Sequence, residues 1–256
     1  MPEVLRERRG HIEILTINRP EARNAVNGAV SKGIGGALDE LATDDDCWVV
    51  IITGAGDKAF CAGMDLKAFA AGEIADIAGA SGGFGGIARR NFPKPLIAAL
   101  NGSALAGGCE IMLSCDLVVA VEEAKIAITE VRRGLIAGAG GLIKLPRRLP
   151  RAVAFELALT GEPIDAQRAL ALGLINRVVP AGQALDEALA LAEVIAANAP
   201  LAVRTTKRVM KEALEVDEDA GWDINNAAMA AVFASADAME GSIAFAEKRA
   251  PNWTGK

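Results

Sequence analysis

The chain has 256 residues, 52% hydrophobic and 23% charged, and a formal net charge of −6. That balance describes a globular chain long enough for a real core, and its scattered basic residues argue against nucleic acid as the main partner. No apolar run reaches the ~18 residues needed to cross a bilayer, and the charged opening MPEVLRERRGHIEIL lacks a signal-peptide core, so a cytoplasmic protein with no membrane partner is expected.

The opening segment VLRERRGHIEILTINRP predicts two short strands around Arg9–Gly10, with His11, Glu13 and Leu15 alternating against Ile12, Ile14 and Thr16. NRPEARNAVN reads as a polar connection, Gly28 to Leu41 as a Gly-rich helix, and CWVVIIT as a fully buried strand by its β-branched run. The segment Ala70 to Arg90 is rich in Gly, Ala and Ser. Such a composition predicts little apolar burial, hence a mobile surface loop leading into a short helix, either a tolerated insertion or a flap beside a pocket. PLIAAL is a strand ending at an Asn101–Gly102 turn, Asn101–Asp116 is a helix, and DLVVAV and KIAIT are strands. From Gly138 onward the chain reads as mostly helical, with one strand-like run at LINRVV and a loop around Pro180–Gly182. A strand–strand–helix rhythm thus recurs through the first two thirds.

His11 is the only histidine, which argues against a Ser-His-Asp triad or a multi-histidine metal site. Acid–base chemistry must come from other groups. Cys47, Cys61, Cys109 and Cys115 show no CxxC or Cys/His pairing, so they read as reduced core thiols and no metal is expected. Gly54, Gly56 and Ala59 match the glycine pattern of a dinucleotide-binding turn. The following FCAGMDL does not begin an amphipathic helix, so the phosphate-binding dipole is missing and that reading is set aside.

Two motifs remain. In AFCAGMDLK a strand end turns through Gly63, leaving backbone N–H groups free, with Asp65 placed to cap the next helix. In NGSALAGGCEIMLSCD a helix beginning near Ala106 would put its unpaired N–H groups and positive dipole end at Gly107. Ala106, Cys109, Glu110 and Leu113 fall at i, i+3, i+4 and i+7, so Glu110 lies on the apolar stripe. A buried carboxylate there is either half of an ion pair with a distant arginine or a proton-exchanging group with a raised pKa. Glu130 precedes Arg132 and Arg133, which offer it a plain surface pairing. Taken with Glu110, it completes a carboxylate pair able to divide acid and base roles.

With NRPEARNAVN, FCAGMDLK, NGSALAGGCE, ITEVRRGLIAGAGG and the terminal AFAEKR in this order, the chain resembles, essentially end to end, the crotonase (enoyl-CoA hydratase/isomerase) superfamily. The resemblance implies an α/β crotonase (ClpP-like) fold, a right-handed spiral of strand–strand–helix units. It also implies a division into a spiral core over 1–195, carrying the CoA and catalytic site, and a helical region over 196–256 that builds trimers and closes over CoA. Further implications are a homotrimer or hexamer, an acyl-CoA thioester as partner, and no permanently bound cofactor, coenzyme A being part of the substrate. By the same resemblance, the backbone N–H groups of Met64 and Gly107 form an oxyanion hole for the thioester oxygen. Glu110 and Glu130 are the catalytic glutamates: Glu110 activates water for attack at C3 and Glu130 exchanges the proton at C2.

CoA contacts are implied for Ala22 and Arg23, for Ala62, Met64, Asp65, Leu66 and Lys67, for Gly107, and for Phe245 and Lys248 of the terminal helix. The implied reaction is reversible syn hydration of the 2,3 double bond of an enoyl-CoA. Another crotonase-type lyase or isomerase reaction and a non-catalytic acyl-CoA-binding role are the alternatives. Thr129 and Ala137 depart from the prolines frequent at those positions. The C-terminal stretch and GMDLKAFAAGE also resemble the crotonobetainyl-CoA hydratase (carnitinyl-CoA dehydratase) branch. The small, apolar residues expected to line the acyl pocket, in Ala70–Arg90 and around Ile136–Leu142, favour an uncharged acyl chain.

Overall fold

A computed structural model describes all residues, 1–256. The elements follow in chain order as β1 (Val4–Arg9), β2 (Ile12–Ile17), α1 (Gly28–Thr43), β3 (Val49–Gly54), β4 (Ala59–Cys61), α2 (Leu66–Ala70) and α3 (Ile74–Ala78). Next come β5 (Leu96–Leu100), β6 (Ser103–Leu105), α4 (Gly107–Ser114), β7 (Leu117–Val121), β8 (Lys125–Ala127), α5 (Gly141–Arg148) and α6 (Arg151–Thr160). The chain ends with β9 (Ile164–Asp165), α7 (Ala166–Ala171), β10 (Arg177–Val179), α8 (Ala184–Ala196), α9 (Pro200–Ala213), α10 (Glu218–Phe233) and α11 (Ala236–Glu247).

Two sheets explain the rhythm. One has the order β1-β2-β3-β5-β7-β10, the other β4-β6-β8-β9. Within the first, β1 pairs antiparallel with β2 and every later neighbour is parallel. The chain visits the first sheet, crosses to the second, and returns: β3 then β4, β5 then β6, β7 then β8. Each turn advances one position in both sheets. β3 is buried at every residue, as a parallel strand covered on both faces should be, and α8 packs across β3, β5 and β7. A single apolar core of 53 residues runs from Ile12 to Ala192 and contains none of α9, α10 or α11. No single helix is long and apolar enough to cross a membrane.

Several expectations need correction. The alternation of β2 leaves no exposed face: Glu13 is buried beside Ile12, Ile14 and Leu15. Its carboxylate is satisfied from β1, accepting from Arg6 Nε at 2.8 Å and Arg8 Nε at 2.6 Å. Within Asn101–Asp116 the helix starts only at Gly107, because Ser103–Leu105 pairs with β4 and β8 as β6. The stripe placing Glu110 is also absent, since every residue from Gly107 to Leu113 is buried.

The largest correction concerns Ala70–Arg90: Ala70–Gly79 is surface-exposed as expected apart from Ile77, but Gly85–Ala88 is buried and packed. Ile77, Ile87 and Ala88 are buried. The buried hydroxyl of Ser31 on α1 donates to the Ile77 carbonyl at 2.8 Å and accepts from the Gly85 N–H at 3.2 Å. Arg90 reaches the carbonyls of Gly35 and Gly86, both at 3.1 Å. A Cβ on Gly86 would overlap the backbone of Ser31 and Gly35, so the glycines here permit backbone-to-backbone packing.

Candidate active site

The first wall of the site is a zipper between two loops. Ala62 N–H donates to the Arg23 carbonyl (3.1 Å), Val26 N–H to Gly63 (2.8 Å), and Asp65 N–H to Val26 (2.9 Å). In this parallel bridge between Val26 and Met64, Val26 uses the groups on either side of Met64. The Met64 N–H therefore faces away and has no protein acceptor. Asn24, at φ +56°, locks the loop from within: its side chain donates to the carbonyls of Ala55 and Ala59 and accepts from Arg19 N–H. The structure thus brings Ala22 and Arg23 alongside Ala62, Met64, Asp65, Leu66 and Lys67. Arg23 and Lys67 are exposed and engage no acidic partner.

Asp65 caps α2 as expected, accepting from Lys67 N–H at 3.0 Å and Ala68 N–H at 3.3 Å. It also pairs with Arg19 at 2.9 Å. Burial opposes its ionisation, but Arg19 and the amides prevail and hold the carboxyl below its ordinary range. Asp65→Ala is therefore expected to lower folding stability by about 0.5–2 kcal/mol, the range of a lost cap, as read by denaturant melts. Asp65→Asn, which keeps an acceptor for the amides, should recover part of that loss.

The second wall is the start of α4. Ala106 sits at φ +51°, ψ −125°, a conformation that favours glycine. It is held there by its N–H, which donates to Ala127 on β8 at 2.9 Å. This backbone twist aims the Gly107 N–H, first in the helix and without an intrahelical partner, towards the Met64 loop. The two walls touch: a Cβ on Gly63 would lie 3.1 Å from Gly107 N, and one on Gly108 would overlap the Cys61 carbonyl. Phe84 closes the third side, its ring 2.5 Å from where a Gly107 Cβ would stand.

Glu110 lies one turn along α4, 3% exposed. No arginine pairs with it. Its Oε1 accepts instead from the N–H groups of Ala139 (2.7 Å) and Gly141 (2.9 Å) at the start of α5. Its other oxygen takes no protein donor. Burial pushes this carboxyl up to about 7, assisted by the nearby Glu130 charge and opposed by the two amides and Lys144.

Glu130 opens a 3-10 turn, Glu130–Arg133, and burial raises its pKa as well. The expected surface pairing is wrong, because Arg132 turns away to Glu162 and the Thr160 carbonyl. Glu130 Oε2 is one of two buried side-chain oxygens in the chain without any hydrogen-bond partner. An orphaned buried oxygen beside a second acid marks a position for a ligand or water.

Sequence reasoning missed Lys144 and did not single out Phe84 or the amides of Ala139 and Gly141, which fall within the ranges expected to line the acyl pocket. The last two had a usable signal in the small-residue run GAGG, which leaves backbone N–H groups approachable. Ala137, one of the two departures, is buried and would lie 3.1 Å from a Gly141 Cβ. Thr129 precedes the 3-10 turn at φ −101°. Within this chain Phe245 and Lys248 do not join the site: Phe245 is exposed on α11, at 87%, Lys248 is exposed at the cap that ends it, and α11 packs on α10. The four cysteines are free and buried, and burial pushes the Cys61 and Cys115 thiols up to about 12.

Comparisons with known proteins identify the family. The chain is 44% identical over 258 residues to enoyl-CoA hydratase EchA19 of Mycobacterium tuberculosis, covering 98% of this chain and 96% of that one. It is 40% identical over 253 residues to a carnitinyl-CoA dehydratase of Proteus mirabilis, covering 97% of each. The crystal structure of an enoyl-CoA hydratase from Mycobacterium tuberculosis superposes with a TM-score of 0.96 at 52% identity over the full length of both chains. Residues 7–256 match the family described as enoyl-CoA hydratase/isomerase, and the chain belongs to that family.

Proposed function

We propose that the protein is a hydro-lyase acting on enoyl-CoA thioesters, adding water reversibly across the 2,3 double bond. The observation that carries this reading is the pair of Glu110, a buried acid, and Glu130, a half-buried acid whose Oε2 is buried, each with one oxygen free of a protein donor, near two unpaired backbone N–H groups. The N–H groups of Met64 and Gly107 receive the thioester oxygen, and their hydrogen bonds strengthen as it gains enolate charge. One such donor is worth ~10²–10³ in rate.

Addition needs one base and one acid, so the working pair carries a single proton. Burial raises both carboxyls, and the addition requires the charge on Glu110, which the Ala139 and Gly141 amides favour, and the proton on Glu130. Glu110 takes a proton from water as the oxygen bonds to C3. The C2=C3 electrons move into the enolate, and Glu130 delivers its proton to C2 as the enolate collapses. The proton has then moved from Glu130 to Glu110, and exchange with solvent resets the pair.

Since Glu110 must be ionised, hydration kcat/KM is expected to fall as pH drops through about 7, and a pH–rate profile checks it. Loss of enoyl absorbance across a panel of enoyl-CoA substrates, varied in length and polarity, tests the activity. The similarity to carnitinyl-CoA dehydratases supports a second reading, dehydration of a hydroxyacyl-CoA with a cationic tail. Faster turnover of the cationic members of the panel would select it.

Arg23 and Lys67, both unpaired, would meet the CoA phosphates. The helices α9, α10 and α11 bury only Pro200, Ala228, Asp237 and Ala244, and leave Trp222, Met229, Phe233, Met239 and Phe245 exposed. Such faces fit a subunit interface. In the homotrimer or hexamer that the family resemblance implies, residues 196–256 would form that interface, with Phe245 and Lys248 reaching a neighbour's CoA.

A further inference from the structure

Lys144 is a titratable group that the mechanism above does not use. It lies on α5, one turn beyond Gly141, and its ammonium is half-buried among three elements that surround the site. Nζ donates to the Ala88 carbonyl at 2.8 Å and to Ser114 Oγ at 2.6 Å. Ser114 Oγ in turn donates to the Glu110 carbonyl at 2.7 Å. The same helix start presents the Ala139 and Gly141 amides to the Glu110 carboxylate. Helix α5 therefore grips α4 at two points: the side chain of Glu110 and, through Lys144 and Ser114, its backbone. Ala88 adds the segment that carries Phe84 over Gly107.

We propose that Lys144 is a positioning residue for Glu110, fixing α5 so that two amides stay aimed at Oε1 and lending a positive charge that favours the carboxylate. The proposal rests on the hydratase reading only for its kinetic test.

Few other groups compete for this role. Glu110 is faced by Glu130 from the 3-10 turn, by Lys144 from α5 and by Cys109 on its own helix. Lys144 is faced by Cys115, Arg148, Glu110 and Lys211. Arg148 is engaged by the Cys115 carbonyl and Lys211 by Asp116. Burial keeps both thiols protonated and draws Lys144 itself down to about 8. Of these groups Glu110 and Lys144 thus titrate near neutrality, with Glu130 raised by burial from the ordinary carboxylate range.

The test is Lys144→Met beside Lys144→Arg, which keeps the charge. The methionine variant is expected to lose kcat by up to about 10²-fold, the cost of a misplaced catalytic group, with KM within about twofold. Its acid limb should move to higher pH, and arginine should restore that limb. Unchanged kcat and an unmoved limb, with only a lower Tm, would overturn the proposal. If the methionine variant does not fold, Ser114→Ala carries the same kinetic prediction through loss of the bridging hydroxyl, and wild-type kcat there overturns it. A ¹³C-carboxyl NMR titration, with the Glu110 signal assigned by its loss in Glu110→Gln, reads the midpoint without substrate. A higher midpoint in Lys144→Met supports the role even if wild type hydrates no enoyl-CoA, which would defeat the hydratase reading alone. An unmoved midpoint overturns it.

Discussion

Glu110→Gln and Glu130→Gln are each expected to lower hydration kcat by about 10²–10⁴-fold, the range for losing a positioned acid or base, while acyl-CoA binding is retained. Glutamine keeps the size of the side chain and its acceptor oxygen, so the Ala139 and Gly141 amides remain paired in Glu110→Gln. What disappears is the negative charge that accepts a proton from water. In Glu130→Gln the loss is the proton delivered to C2, so exchange of the C2 hydrogen with solvent should vanish along with hydration. The two effects are not additive, because neither acid does useful work without the other. The double variant should be no slower than about the slower single one. Steady-state kinetics with calorimetric acyl-CoA binding separates this outcome from simple loss of structure. Full activity in both variants would remove the carboxylate pair from the mechanism.

The second large effect is expected from Gly108→Ala. A methyl group at this position points into the Cys61 carbonyl, which is backbone and cannot rotate away. Helix α4 must then withdraw from β4, and the gap between the Met64 and Gly107 N–H groups must widen. A displaced oxyanion donor costs ~10²–10³ in rate, so kcat should fall by at least that factor, with a lowered Tm from the forced separation of buried elements. Gly107→Ala is the milder comparison, since its methyl meets the Phe84 ring, a side chain able to turn. If the two variants were equally active, the closeness of β4 and α4 would not matter for catalysis.

Much of this site is legible from residue chemistry. Glu110 stands out because a carboxylate interrupts a small and apolar run, and Asp65 because an acid follows a turn glycine before a helix. Both local readings describe the structure well. What the chain order hides is what comes from elsewhere. The partners of Glu110 are amides near position 140 rather than an arginine, and backbone donors leave no mark in side-chain composition. The strand Ser103–Leu105 is three residues long and sits between a turn and a helix, too short for periodicity to register.

Ala70–Arg90 misleads for a more general reason. Small residues look unable to bury area, yet at Gly86 the missing side chain is what lets the segment dock on α1. That docking carries Phe84 to Gly107 and Ala88 to Lys144. The positive φ of Ala106 is likewise invisible in sequence, because alanine there looks like an ordinary helix former. Holding a non-glycine residue in such a region costs of order 1–3 kcal/mol and persists only where surrounding contacts fix it.

In the proposed reaction Glu110 and Glu130 add water to an enoyl thioester held by the Met64 and Gly107 N–H groups. Incubation with a 2-enoyl-CoA in ¹⁸O-labelled, deuterated water, followed by mass spectrometry of the product, tests it most directly. A 3-hydroxyacyl-CoA carrying ¹⁸O at C3 and deuterium at C2 is expected from wild type and not from Glu110→Gln. Acyl-CoA binding without turnover at any chain length, or labelled product at the wild-type rate from Glu110→Gln, would contradict it.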